Sequence, residues 1–276
     1  MECTVLPAMP LLIHRFLLAK LQLEEILLNS PSDMGAALKD LPRSPSDAYR
    51  KVLARIEKKG KVTRTRAYHA LSWVFHAIRP LERGELLAIL NVERDGKDSI
   101  NSVTEIGHII EACEGLIVCE WKNLPDQSPL RFAHSTVRVF LQDLHFGTEQ
   151  VLGSSFLRQS DIALSCIRYI ASQRCDDECR WQIAVKHKFA NYAATFWAVH
   201  AKGEAETVEK FQKEVFIWIS DERIGIGKAE GKRCLSSTCP NCIVAPDTIL
   251  HFLAANGLAI MCGLALDGQL LISSDR

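Results

Sequence analysis

Apolar residues recur at helical spacing along most of this chain, and at one place, residues 116–134, the period drops to two. That single interruption constrains the fold most. Helices and strands present their apolar faces at different spacings, so one short period-two segment inside a helical pattern means one small sheet set into a helical body. Before the interruption, Leu11 to Leu28 is apolar on nearly every face and reads as a helix buried by its neighbours, followed by a Pro/Ser-containing segment from Asn29 to Ser46. Ser44-Pro45-Ser46-Asp47 is a helix start, with Ser44 as N-cap and Pro45 at the first helical position. Tyr49, Val52, Leu53 and Ile56 then share one face, and Gly60 is the expected stop. A second helix puts Ala67, Leu71, Val74, Phe75 and Ile78 on one stripe and ends at Arg79-Pro80. A third is expected around Glu85–Leu90 and a fourth around Val103–Cys113.

After Gly115 the run Leu116-Ile117-Val118-Cys119-Glu120-Trp121 is short and β-branched. Turn residues from Asn123 to Pro129 lead into a second strand in which Leu130, Phe132 and His134 share a face, and Ser135 can cap the following helix. Helices followed by a β-hairpin is the order of a winged helix-turn-helix. Further helices are expected at residues 162–171, 181–200 and 204–220, then a loose stretch rich in Gly, Lys and Cys from Gly225 to Cys242, then a short C-terminal unit.

A winged helix raises the question of DNA, and charge answers it. The chain has 33 basic and 33 acidic residues, but they are unevenly placed. Residues 50–66 carry eight bases and one acid, whereas residues 93–126, which include the recognition-helix candidate, carry eight acids and three bases. That helix holds Glu105 and Glu111 and no Lys or Arg, so a phosphate backbone would repel it. The basic run reads as a solvated face or as a partner for acidic segments elsewhere.

Other chemistries find little support. Ten cysteines are spread from Cys3 to Cys262, which points to free thiols in a reduced, cytoplasmic protein. Cys234, Cys239 and Cys242, with Cys262 or with Cys175 and Cys179, have part of the spacing of an iron–sulfur or zinc site but no second tight pair, so no metal and no cofactor is expected. Gly225-Ile226-Gly227-Lys228-Ala229 falls short of a phosphate loop, with Glu222 where a Gly is required and no Ser/Thr after Lys228. No G-x-S-x-G or H-E-x-x-H motif occurs, and no enzyme site is assembled. Ile249–Leu266 has the length of a bilayer span, yet it contains His251, Asn256, Gly257 and Gly263 and lacks flanking basic residues.

Several local patterns resemble one family in order and spacing. Arg15 to Leu23 resembles the helix closing the NACHT nucleoside-triphosphatase module of fungal NLR-like (STAND) proteins. Leu41-Pro42, Ala48-Tyr49 and Leu53-Ala54-Arg55-Ile56 are similar to the helix that follows it. Leu71-Ser72-Trp73-Val74, Arg79-Pro80-Leu81, Glu85-Leu86, Cys113-Glu114-Gly115-Leu116 and His134-Ser135-Thr136-Val137 resemble that family's winged helix, the type labelled the GPI inositol-deacylase winged helix domain, although no deacylase machinery is visible. Cys166 to Ile170 and Tyr192-Ala193 with Trp197 and His200 resemble the next helical segment. Thr248, Leu250, His251, Ala254 and Gly257 are similar to the ankyrin signature, with Ile249 and Leu253 departing from it.

The resemblance implies a mainly α protein: a closing NACHT helix (1–40), a winged helix domain (41–150), an α-helical connector (151–225), a linker (226–245) and a vestigial ankyrin-like unit (246–276). It implies a non-catalytic regulatory and protein-interaction segment in fungal NLR-like signal transduction and non-self recognition, lacking the NTPase core. The implied partners are proteins, or an NTPase module in cis or trans, and neither nucleic acid nor a membrane. Family proteins contact the ADP phosphates through a histidine near the last strand-to-helix junction, and His134 holds that place. The residues alone favour a core histidine bonded to backbone. The alternative function is a winged-helix DNA-binding regulator, and a membrane-anchored adaptor ranks third.

Overall fold

The computed structural model describes residues 18–23, 26–27, 33–92, 103–119, 127–146, 155–172, 188–220 and 249–267. Residues 18–23 and 26–27 are helical. Helices follow at Met34–Lys39 (α1), Pro45–Glu57 (α2), Lys61–His76 (α3), Arg83–Val92 (α4) and Val103–Ala112 (α5). Strands Ile117–Cys119 (β1) and Leu130–Phe132 (β2) come next, then helices Ser135–Phe146 (α6), Gln159–Ser172 (α7) and Ala190–Ala201 (α8). A 3₁₀ turn at Gly203–Thr207 precedes Glu209–Ser220 (α9), Ile249–Ala255 (α10) and Ala259–Leu266 (α11). Among the described residues the chain is mainly helical with one small two-stranded sheet, as its periodicity predicts.

Local chemistry sets the helix ends. Ser44 caps α2 from an extended backbone, its hydroxyl accepting the Asp47 N–H at 3.1 Å, with Pro45 in the first turn. Tyr49, Val52, Leu53 and Ile56 are buried, as their spacing predicts. Gly60 plays a different part from the one expected: α2 ends at Glu57 with Lys58 as its cap, and Gly60, at φ −54°, starts α3. Ile78 also leaves the expected stripe. The helix stops at His76, and Ile78 is 47 % exposed. Met34–Lys39 forms a short helix inside the Pro/Ser-containing segment from Asn29 to Ser46. Leu23 and Leu27 are exposed, so among the described residues the N-terminal helix buries one face rather than all; Leu21 packs against the core.

The sheet is antiparallel, pairing Ile117 with Phe132, Val118 with Arg131 and Cys119 with Leu130. Residues 81–83 run along its edge, with Leu130 N–H donating to Leu81 O at 2.7 Å and Arg83 N–H to Ser128 O at 3.1 Å. The turn before β1 uses two left-handed residues, Glu114 (φ 53°) and Gly115 (φ 76°). Buried side chains from Tyr49 to Met261 form one core cluster, with α7 packed against α3, α4 and α8. The core therefore spans both sides of residue 150.

Ile249–Leu266 is two short helices joined by a turn. Gly257 (φ 69°) closes α10, with its N–H on Ala254 O at 2.9 Å and the Leu258 N–H on Leu253 O at 3.0 Å. A Cβ at Gly257 would meet only the flexible end of the Lys202 side chain, 3.0 Å away, so it is the left-handed backbone rather than lack of space that favours glycine there. The carboxylate of buried Glu206 holds α11 in place. It accepts the Ile260 and Met261 N–H groups at 2.9 and 3.1 Å and the Gly203 N–H at 3.0 Å. No helix among the described residues is long and apolar enough to cross a membrane.

Candidate functional site

The strand-to-helix junction after β2 faces a cavity of about 390 Å³. His134 sits just before α6, and its ring takes the place of a cap: Nδ1 accepts the Thr136 N–H at 3.2 Å and lies 2.9 Å from Thr136 Oγ1. That hydroxyl is 2.8 Å from the Tyr49 hydroxyl on α2. With the Thr136 proton turned toward Nδ1, Tyr49 donates to Thr136, and a neutral imidazole carries its proton on Nε2. The chain Tyr49–Thr136–His134 thus sets the tautomer and joins α2 to α6. The ring is half-buried rather than a core residue, although it does bond to backbone as a core reading requires.

The cavity is lined by α2 (Tyr49, Val52, Arg55), by the turn 114–116, by Ala133, His134 and Val137, and by Lys20, Leu21 and Leu27 of the N-terminal helix. Gln22 Nε2 ties that helix to the body by donating to Pro42 O at 2.9 Å. One wall is an ion cluster in which Glu114 takes Arg55 Nε at 3.2 Å and Lys59 Nζ at 2.5 Å. Burial alone would push the Glu114 carboxyl up, but the bonds from Lys59 and Arg55 outweigh it and hold the group below its ordinary value. This cluster answers the charge asymmetry in part, since basic α2 and its exit pair with an acid inside the acidic segment. Lys51 pairs with Asp40, and Arg64 with Glu57 at 3.4 Å.

Glu114 combines a left-handed backbone with a two-cation partnership, a combination in which strain is held by the surrounding contacts. Glu114→Gln keeps the shape and removes the charge, leaving Arg55 and Lys59 facing each other. It is expected to cost about 1–2 kcal/mol in denaturant titration at low salt, a loss that shrinks as salt is raised. Because the folded-state carboxyl is depressed, this contribution is complete above the ordinary carboxylate range and fades as pH falls below it.

Of the other residues marked from sequence, Leu250 is half-buried on α10, His251 belongs to α10, Ala254 is exposed, Gly257 makes the turn and Thr248 lies outside the described residues. Among the described residues, Leu250, Ala254 and Gly257 do not line the cavity with His134. Cys175, Cys179, Cys234, Cys239 and Cys242 also lie outside the described residues. Among the described residues no group of three His, Cys, Asp or Glu side chains is placed to hold a metal. The Cys113 thiol is fully buried, donates to Ile109 O at 3.2 Å and is pushed up to about 12 by burial, so it is an inert core group. Sequence reasoning did not assign Tyr49, Arg55 or Glu114 to a site. The available signal was the opposed charge of two segments 59 residues apart, which by itself says nothing about which pairs meet.

The positions that carry the family resemblance are, physically, core and cap positions. Leu71, Trp73, Leu81, Leu86, Cys113 and Leu116 are buried, and Glu85 reaches back to the Glu82 N–H at 2.9 Å in the first turn of α4. Comparison of the chain with protein-family models, with curated proteins and with solved structures gives no match.

Proposed function

We propose that this chain is a non-catalytic regulatory and protein-interaction segment of an NLR-like (STAND) signalling protein. On this reading it consists of a winged helix, an α-helical connector and an ankyrin-like end that work with an NTPase module in cis or trans. The observation that carries the reading is the junction at His134. Among the described residues the second strand hands over to a helix at a histidine whose Nδ1 is occupied and whose ring lines a cavity, with Lys20, Leu21 and Leu27 on the cavity wall. A neutral imidazole with Nε2–H as donor suits a phosphate oxygen brought by the NTPase module, with Lys20 on the same cavity wall adding positive charge. The helices around the β1–β2 hairpin and the paired helices α10–α11 support the winged-helix and ankyrin-like assignments in their order along the chain.

The DNA-binding alternative is disfavoured by two observations. α5 carries Glu105 and Glu111 with no Lys or Arg, and Arg55, Lys59, Lys51 and Arg64 are engaged by acids of the same chain.

The test adds the purified chain to a NACHT module and titrates ADP. The chain is expected to tighten ADP binding, and His134→Ala to remove the gain. The chain alone is expected neither to hydrolyse ATP nor to bind duplex DNA at low salt. Micromolar ATP or ADP binding by the chain alone, or DNA binding that weakens steeply with salt, counts against the reading.

A further inference from the structure

The seam between α3–α6 and α7–α8 is lined with imidazoles that the site at His134 does not use. Phe75 and His76 end α3, His145 lies in the last turn of α6, and Phe156 precedes α7. The four rings form one cluster, with centroids 5.6 Å apart for His76–His145 and His145–Phe156 and 5.7 Å for Phe75–Phe156. His76 Nε2 donates to Leu157 O at 3.0 Å, tying the end of α3 to the entry of α7. On α8, His200 is fully buried: Nδ1 accepts from Gln159 Nε2 at 3.1 Å, and Nε2 donates to the Tyr192 hydroxyl at 2.9 Å. The same hydroxyl accepts the Ile78 N–H at 3.1 Å. The imidazole bonds are made by neutral rings; His76–Leu157 and Ile78–Tyr192 cross between the two pairs of helices, while the His200 bonds lie within the α7–α8 pair and fix the Tyr192 hydroxyl that takes the Ile78 N–H.

The charged groups facing this seam are predominantly basic. Arg138 of α6 lies over the Phe75 ring at 5.5 Å, Arg158 precedes α7, and Glu204 of the 3₁₀ turn is the acid acting on His145. Arg79 stands 5.1 Å over the Tyr192 ring, its charge matched by Glu85. Burial keeps the Tyr192 phenol neutral.

We propose that the seam is an acid-responsive latch: protonation of His76, His145 and His200 loosens α3 and α6 from α7 and α8 while the α2–α3–α5 core stays closed. Two imidazolium rings 5.6 Å apart repel, with Arg138 adding to the repulsion. A protonated Nδ1 on His200 no longer accepts from Gln159 Nε2, so the amide must turn to present its oxygen. Burial pushes His76 and His200 down to about 4 and lowers His145 as well. For a histidine depressed in the closed state, the open state binds the proton more tightly. The latch therefore holds above the ordinary histidine range, near 6.5, and is lost as pH falls from there toward 4.

Hydrogen exchange of the full chain at about pH 7.2 and pH 5.2, corrected for intrinsic rates, tests this. Amides of residues 74–77, 142–146, 157–163 and 190–193 are expected to lose protection by at least about tenfold at the lower pH, and those of residues 52–56 and 108–112 by less than about threefold. In His76→Gln/His200→Gln the seam response is expected to fall below about threefold. Should that double variant not fold at neutral pH, each single variant is expected to show about the square root of the wild-type change. Equal loss throughout the chain, no loss at the seam, or a wild-type response in the variants overturns the proposal.

Discussion

Trp73→Ala is expected to destabilise this protein by about 3–5 kcal/mol, read as a lowered urea midpoint in far-UV circular dichroism. Trp73 is fully buried on α3 and meets α8 through aromatic edges, with Phe189 at 5.3 Å and Tyr192 at 6.4 Å. Phe189 in turn stacks on Tyr192 at 5.2 Å and meets Tyr169 at 5.2 Å. The cost of removing an indole depends on how far its surroundings can collapse into the gap. Here they are held. The Tyr192 hydroxyl is bonded to Ile78 and His200, so its ring cannot swing into the space without breaking buried hydrogen bonds. Trp73→Phe keeps most of the apolar volume and should lose less than half as much. A loss below about 1.5 kcal/mol for the alanine variant would show that this aromatic stack is not what joins α3 to α8.

Arg79→Met is expected to cost about 2–4 kcal/mol by the same measurement. Glu85 is nearly buried, at 5 % side-chain exposure, and Arg79 grips it with two bonds of 2.8 and 2.5 Å. Removing the guanidinium leaves a carboxylate in a poorly solvated place with the Glu82 N–H for company. Arg79 itself is 37 % exposed, so solvent screens part of the interaction and the cost lies below that of a fully buried pair. Arg79→Met/Glu85→Gln should be less destabilised than Arg79→Met alone, because a neutral amide still accepts the Glu82 N–H and no charge is stranded. A double variant as unstable as the single one would place the loss in the methylene packing of Arg79 over Tyr192.

These two residues show how much was legible beforehand. Arg79-Pro80 read as a helix stop, and α3 does end just before it, at His76. That Arg79 would neutralise Glu85 across the turn was not readable, since periodicity places faces but does not pair charges. The α2 start was readable in full because its cap is local: Ser44, Pro45 and Asp47 act within four residues. Ile78 and Gly60 went astray for a related reason. Both sit at helix junctions, where the path of the next element decides exposure and capping. The Ile249–Leu266 stretch carried two readings in its composition, and the Gly257 turn with the Glu206 anchor resolves it into two short helices.

At the site, His134 is marked in the sequence through the family resemblance, while the residues alone favour a core histidine with Ser135 as the cap; in the structure the His134 ring itself takes the Thr136 N–H. Tyr49, Arg55 and Glu114 are not marked as site residues, because each contributes through a partner far along the chain. The sequence by itself determined a mainly helical pattern with one period-two segment, where the capped helix at Pro45 begins, and that equal numbers of acidic and basic residues are unevenly placed. Those properties depend on neighbours within a few residues. Only the tertiary structure decided that Glu114 meets Arg55 and Lys59, that Tyr49 and Thr136 set the His134 ring, and that three histidines share one seam. Each of those depends on which segments pack together, and packing follows from the burial of the whole core rather than from any local pattern.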